Sequence, residues 1–147
     1  MLSTKTAAKQ DFIPVMRELV RAYQAFASYD AKGYEGTDLT VSQADVLFTL
    51  GNTDGLSFKE IGELTLITKG TLTGVIDRME AKGLVKRRES PLDRRVTLVQ
   101  LTRQGEKLFE KLFPRQIAHI KRCFDQLSKS ELSEISKSLS RLREIFS

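Results

Sequence analysis

Two short helical stretches joined by about three residues constrain this chain more than any other feature of its sequence. Ser57 with Glu60 has the form of a capping box, in which the hydroxyl takes an orphan backbone N–H while the carboxylate reaches back to the residue before the helix. The box opens a short helix carrying Ile61 and Leu64 that ends near Thr65. Leu66, Ile67 and Thr68 leave a tight connection before a second periodic run from Lys69 to Lys82. Only a few arrangements accommodate such a pair, and the flanking residues choose among them.

Gly83 closes the second run, since a left-handed cap costs glycine little. Leu84 to Glu89 and Val96 to Leu101 are β-compatible segments around Ser90, Pro91, Leu92, Asp93, Arg94 and Arg95, which predicts a hairpin with a basic tip. A helix, a tight turn, a second helix and such a hairpin make a winged helix-turn-helix over about residues 40–102. Net charge points the same way. The chain carries 24 Lys and Arg against 19 Asp and Glu, a net charge of +5. Six of those bases (Lys82, Lys86, Arg87, Arg88, Arg94, Arg95) stand with only Glu89 and Asp93 between Lys82 and Arg95. A solvated face is the plain alternative for a charge run of this kind.

Helices are predicted on both sides. Phe12, Val15, Met16, Leu19, Tyr23 and Phe26 follow helical spacing over about residues 8–29. Thr40 with Gln43 opens a helix to about Asn52. Thr102 can cap a helix from Arg103 to about Leu127 that Pro114 should bend. Ser128 with Glu131 opens a last helix whose Leu132, Ile135, Leu139, Leu142 and Phe146 form a narrow seam. The expected fold is a single domain of 147 residues, mainly α with a small two-stranded β-wing, with dimerisation helices over about 1–30 and 103–147. Those helices offer more apolar surface than a small winged domain covers, which argues for a homodimer; packing within one chain is the alternative.

Several function classes are excluded. Apolar runs are far shorter than a membrane span, and the first residues lack an export signal, so a cytoplasmic protein with no membrane partner is expected. A single cysteine, Cys123, and a single histidine, His119, leave no set of ligands for a zinc cluster and no choice of histidines for a catalytic triad. No P-loop, nucleophile elbow or H-E-x-x-H is present, so neither an enzyme nor a bound cofactor or metal is expected. Cys123 lies among Ile120, Phe124 and Leu127 and reads as a buried, inert thiol.

In a winged helix-turn-helix the helix after the turn is presented to the DNA major groove. Its start here, Thr68, Lys69, Gly70, Thr71, Leu72, Thr73 and Gly74, has small residues that permit close approach and a lysine able to meet a phosphate. Arg94 and Arg95 at the hairpin tip suit the negative potential of a narrow minor groove. Asp93 either pairs with a neighbouring guanidinium or simply forms the turn. A helix start without a partner, and a winged helix used as a protein-interaction or scaffold module, are the competing readings. The scaffold module would need no arginine at the tip.

The residues also resemble the MarR family of bacterial transcriptional regulators. Gly83-Leu84-Val85 with Arg87, then Asp93 and Arg95, then Leu101-Thr102, match its G-L-V-x-R, D-x-R and L-T elements, and Thr68 to Met79 is similar to its recognition helix. The likeness spans almost the whole chain. It implies a homodimer on a pseudo-palindromic operator, probing double-stranded DNA with Thr71, Thr73 and Arg78 and placing Arg95, supported by Asp93, in the minor groove. It also implies a repressor released by a small aromatic or acidic effector, or by an oxidant. No cysteine precedes Cys123, so the resemblance does not extend to members that sense peroxide near the chain start. The full set assigned to DNA is Ser57, Thr68, Lys69, Gly70, Thr71, Thr73, Arg78, Arg87, Arg88, Asp93, Arg94 and Arg95. Tyr23, Phe26, Phe48 and His119 are assigned to an effector pocket between the dimerisation helices and the winged part, against the plainer reading of ordinary core.

Overall fold

A computed structural model describes residues 1–147. The order is α1 (Thr4–Ala7), α2 (Ile13–Lys32), α3 (Val41–Leu50), β1 (Leu56–Ser57), α4 (Phe58–Leu64), α5 (Lys69–Ala81), β2 (Val85–Glu89), β3 (Thr97–Leu101), α6 (Arg103–Phe124) and α7 (Lys129–Ile145). Capping sets most of these starts. Reciprocal boxes form at Thr40/Gln43, Ser57/Glu60 and Ser128/Glu131, and the Thr102 hydroxyl accepts from the Gly105 N–H at 3.1 Å. Gly83 ends α5 with φ +74°, the left-handed conformation a side chain would disfavour.

Four boundaries differ from the sequence reading. The first long helix starts at Ile13 rather than near residue 8, with Pro14 in its first turn, where a missing N–H costs nothing. The second stops at Leu50, and Asn52 follows in a left-handed turn at φ 59°. The helix after Thr102 continues through Pro114 to Phe124. The wing, expected with two strands, belongs to a three-stranded antiparallel sheet of order β1-β3-β2. Leu56 lies opposite Val99 and Ser57 opposite Leu98, so β1 straps the hairpin to the start of α4. Two residues are too short a run for periodicity to reveal.

The core is one cluster of 14 buried residues, among them Val46, Leu47, Leu50, Ile61, Leu72, Ile76, Met79, Val85, Val99 and Phe109, all between α3 and the first half of α6. Neither α2 nor α7 has a buried residue. The winged part therefore owns a closed core, and the two amphipathic helices do not share it. No helix is long and apolar enough to cross a membrane.

Half-buried Asp45 on α3 is an electrostatic cost inside this part. Burial, and secondarily the Asp30 carboxylate, push its pKa above the ordinary aspartate value. Its folded-state pKa is therefore above the unfolded one. The associated stability is complete below the unfolded value of about 3.9 and is lost as pH rises through the folded value. Asp45→Asn should raise Tm by about 1–3 °C at pH 7 and leave it unchanged near pH 3.5, as read by thermal melts at the two pH values.

Candidate nucleic-acid interface

The start of α5 differs from the other long helix starts of the winged part. Thr68 occupies the cap position, yet its side chain takes no backbone N–H and instead meets the Thr71 hydroxyl at 3.0 Å. The first N–H groups of α5 thus have no side-chain cap and are available to an outside acceptor, which the helix dipole biases toward an anion. Thr68, Lys69, Gly70, Thr71 and Thr73 are all exposed on this turn. Leu72, Val75, Ile76 and Met79 bury the opposite face of α5. The Arg78 guanidinium folds back along the exposed face, 3.4 Å from where a Cβ on Gly74 would stand. A cleft of about 760 Å³ separates this helix start from α4 and is lined by Phe58, Gly62, Thr68, Lys69 and Thr73.

The wing tip is a built turn. Asp93 takes both functions considered for it. Its Oδ1 and Oδ2 accept from Nε and Nη2 of Arg95, each at 3.1 Å, and Oδ1 also accepts from the Arg95 backbone N–H at 3.0 Å. Its carbonyl accepts from Val96 N–H at 3.0 Å, closing the turn. The Arg95 side-chain hydrogen bond, with the backbone bond second, holds the Asp93 carboxyl below the usual carboxylate range. Arg95 nonetheless keeps 90% of its side-chain exposure. The pair uses two of the five guanidinium N–H groups, so the outer edge retains donors for a partner.

Half of the basic window points elsewhere. Arg87 and Arg88 were both expected at DNA, and both have internal partners. Arg87 bridges β2 to α5 through Asp77 and Glu80 at 2.5 and 2.6 Å and lies over the Phe58 ring. Arg88 bonds the Gln100 side chain and the Asp54 carbonyl at 2.7 Å. Lys82 bonds Gln43 Oε1 at 3.0 Å. Lys86 and Arg94 are exposed and have no ion-pair partner. Ser57 is occupied as the α4 cap, accepting from Glu60 N–H at 3.1 Å.

Of the four residues assigned to an effector pocket, Phe48 and His119 have aromatic partners, and none of these partners is another of the four. Phe48 of α3 packs against Tyr34, which follows α2, and Phe113 of α6. His119 stacks on Tyr29 at 4.2 Å between ring centres, its Nε2 2.8 Å from the Tyr29 carbonyl. Tyr23 and Phe26 are half exposed on α2. The cavity beside His119, of about 310 Å³, is lined by Lys32, Gly33, Arg115, Ala118 and Arg122 and by none of the other three. Cys123, expected to be buried, is exposed. Burial along α6 ends at Gln116, and the last two turns project past the core that would have covered the thiol.

An open helix start presented after a tight turn, beside a strapped hairpin with a clamped arginine at its tip, defines the DNA-binding winged helix-turn-helix class. Comparison with known proteins identifies the group within that class. The MarR family model matches residues 37–96. The HTH-type transcriptional regulator MhqR of Bacillus subtilis is 32% identical over 124 residues, covering 84% of this chain and 86% of MhqR. The structure of Bordetella bronchiseptica BpsR, whose DNA binding is regulated by 6-hydroxynicotinic acid, superposes with a TM-score of 0.75 at 29% identity, over 91% of this chain and 96% of that one. A mutant MarR from E. coli complexed with operator DNA has the same fold, with a TM-score of 0.75 at 23% identity over 91% and 99% of the two chains. The chain belongs to the MarR family of transcriptional regulators; its relatives and fold are those of regulators, not enzymes.

Proposed function

We propose that this protein is a homodimeric, sequence-specific repressor that grips a pseudo-palindromic operator through α5 in the major groove and the wing in the minor groove, and that a small aromatic or acidic compound releases it. The observation that carries the reading is the juxtaposition of an uncapped, exposed α5 start with an arginine-tipped wing. Thr71, Thr73 and Arg78 face the bases or their phosphates, Lys69 and the free N–H groups hold a phosphate, and Arg94 and Arg95 enter the minor groove. Arg87 and Arg88 act from behind, fixing the wing against α5 and the Asp54 turn. One recognition helix reads few base pairs, so two copies about one DNA turn apart supply the specificity a genome requires. Release by an effector draws its support from BpsR, which responds to an aromatic acid.

The test begins by selecting bound sites from random duplex DNA, which should return inverted half-sites. On a selected site, affinity should fall steeply with salt, with a slope of about −0.9 per phosphate. Arg95→Ala should weaken binding about tenfold and flatten that slope while the protein remains dimeric, measured by fluorescence anisotropy and light scattering. Unselective binding, or a dimeric Arg95→Ala protein of unchanged affinity, would overturn the reading and favour a protein-interaction module. Aromatic acids at millimolar concentration should dissociate the complex.

A further inference from the structure

The most exposed apolar side chain between the two chain ends is on the wing. Leu92 is 96% exposed. Isolated exposed leucines are ordinary on protein surfaces, and exposure alone says nothing. Leu92 differs in how it is held and in what stands beside it. Its backbone is fixed on both sides: Ser90, itself buried, accepts from Leu92 N–H through Oγ at 3.3 Å, and Ser90 N–H donates to Val96 O at 2.9 Å. Asp93, the next residue, is locked to Arg95 by three hydrogen bonds. A tip fastened at residues 90, 93, 95 and 96 cannot easily fold Leu92 back onto the body of the domain. Exposed Pro91 precedes it, Val96 is partly exposed after it, and exposed Arg94 and Arg95 complete the tip.

We infer that Leu92 is an apolar wedge of the wing, which packs on the sugar walls or between base steps of the minor groove that Arg94 and Arg95 enter. The occupant is duplex DNA because the flanking charge is cationic and the only carboxylate of the tip is neutralised within it. Apolar side chains inserted beside arginines are a general way of exploiting a narrow or deformable minor groove. The wedge rests on the proposed DNA-binding role of the wing. It adds a contribution to affinity that is independent of salt, beside the salt-dependent one from the arginines.

Salt dependence separates the two contributions. On a selected operator, Leu92→Ala should weaken binding about tenfold, or about 1.4 kcal/mol, because alanine keeps only part of the apolar contact that leucine buries. The slope of log affinity against log salt should match that of the unaltered protein. Leu92→Met should recover most of the affinity, and Leu92→Gln, of similar length but polar, should not. Folding is no confounder for a side chain this exposed, and equal melting temperatures would verify it. Leu92→Ala within twofold of the unaltered protein, a flattened slope, or full recovery by Leu92→Gln would each overturn the wedge while leaving the winged DNA-binding role standing. Unaltered protein that binds no duplex would overturn that role and the wedge together.

Discussion

Leu139→Asp is expected to convert the protein to monomers and to lower its affinity for a palindromic operator by at least about a hundredfold. Leu139 is 54% exposed on α7, and Phe12, just before α2, and Val15 and Met16 within it are exposed to a similar degree. Val15, Leu139, Leu142 and Ile145 line an open cleft of about 670 Å³ between these two helices. Two helices of 20 and 17 residues with no buried residue leave contiguous apolar surface that, in the proposed dimer, a second copy covers. Twofold symmetry doubles the penalty. Each aspartate forfeits about 1.5–3 kcal/mol of leucine burial and adds the desolvation of a carboxylate with no partner. About 6 kcal/mol for the pair is some four decades in the dimerisation constant. The closed core from α3 to α6 keeps the winged part folded, so circular dichroism should retain its helical signal while light scattering reports half the mass. A dimeric Leu139→Asp protein would remove α7 from the interface.

What was legible in the sequence was chiefly what is local. Capping boxes act over three residues, and all three occur where the sequence implied them. The left-handed Gly83 and the Asp93–Arg95 pair are equally short-range. Long-range pairing was not legible. Arg87 finds carboxylates on α5, seven and ten residues back, only because β2 returns along that helix. Arg88 finds Asp54 only because β1 adds to the sheet. A count of basic residues assigns both arginines to the surface that Arg94 and Arg95 occupy. Cys123 misled for a related reason: its apolar neighbours continue the buried stripe of α6 past the point where the core ends. A periodic pattern shows which face of a helix is apolar, and it is silent on whether the same chain covers that face. The grouping of Tyr23, Phe26, Phe48 and His119 rested on aromatic character and helical spacing alone, and neither fixes which side chains line one cavity; the one beside His119 is lined by none of the other three.

Gly105→Ala should destabilise the protein by about 3 kcal/mol or more, lowering Tm by roughly 6–12 °C. A Cβ on Gly105 would lie 2.1 Å from the Leu84 carbonyl oxygen. That oxygen already accepts from Thr102 N–H at 3.0 Å. Backbone cannot yield as a flexible side chain can, so α6 must lift from the base of the wing or the Leu84–Thr102 bond must break. The position matters beyond stability. Thr102 Oγ1 donates to the Gly83 carbonyl and accepts from Gly105 N–H, so one joint fastens the end of α5, the base of both hairpin strands and the start of α6. In the proposed dimer α6 runs from this joint toward the dimerisation helices, and any change in their spacing reaches α5 and the wing through it. Loosening the joint should therefore weaken operator binding more than the loss of folded protein explains. Hydrogen exchange should show faster opening at Val85, Val99 and Leu101 than at Leu47 and Leu50 of α3. Uniform exchange in Gly105→Ala, with DNA affinity unchanged well below the melting temperature, would show that the joint carries load for the fold but does not couple the two parts.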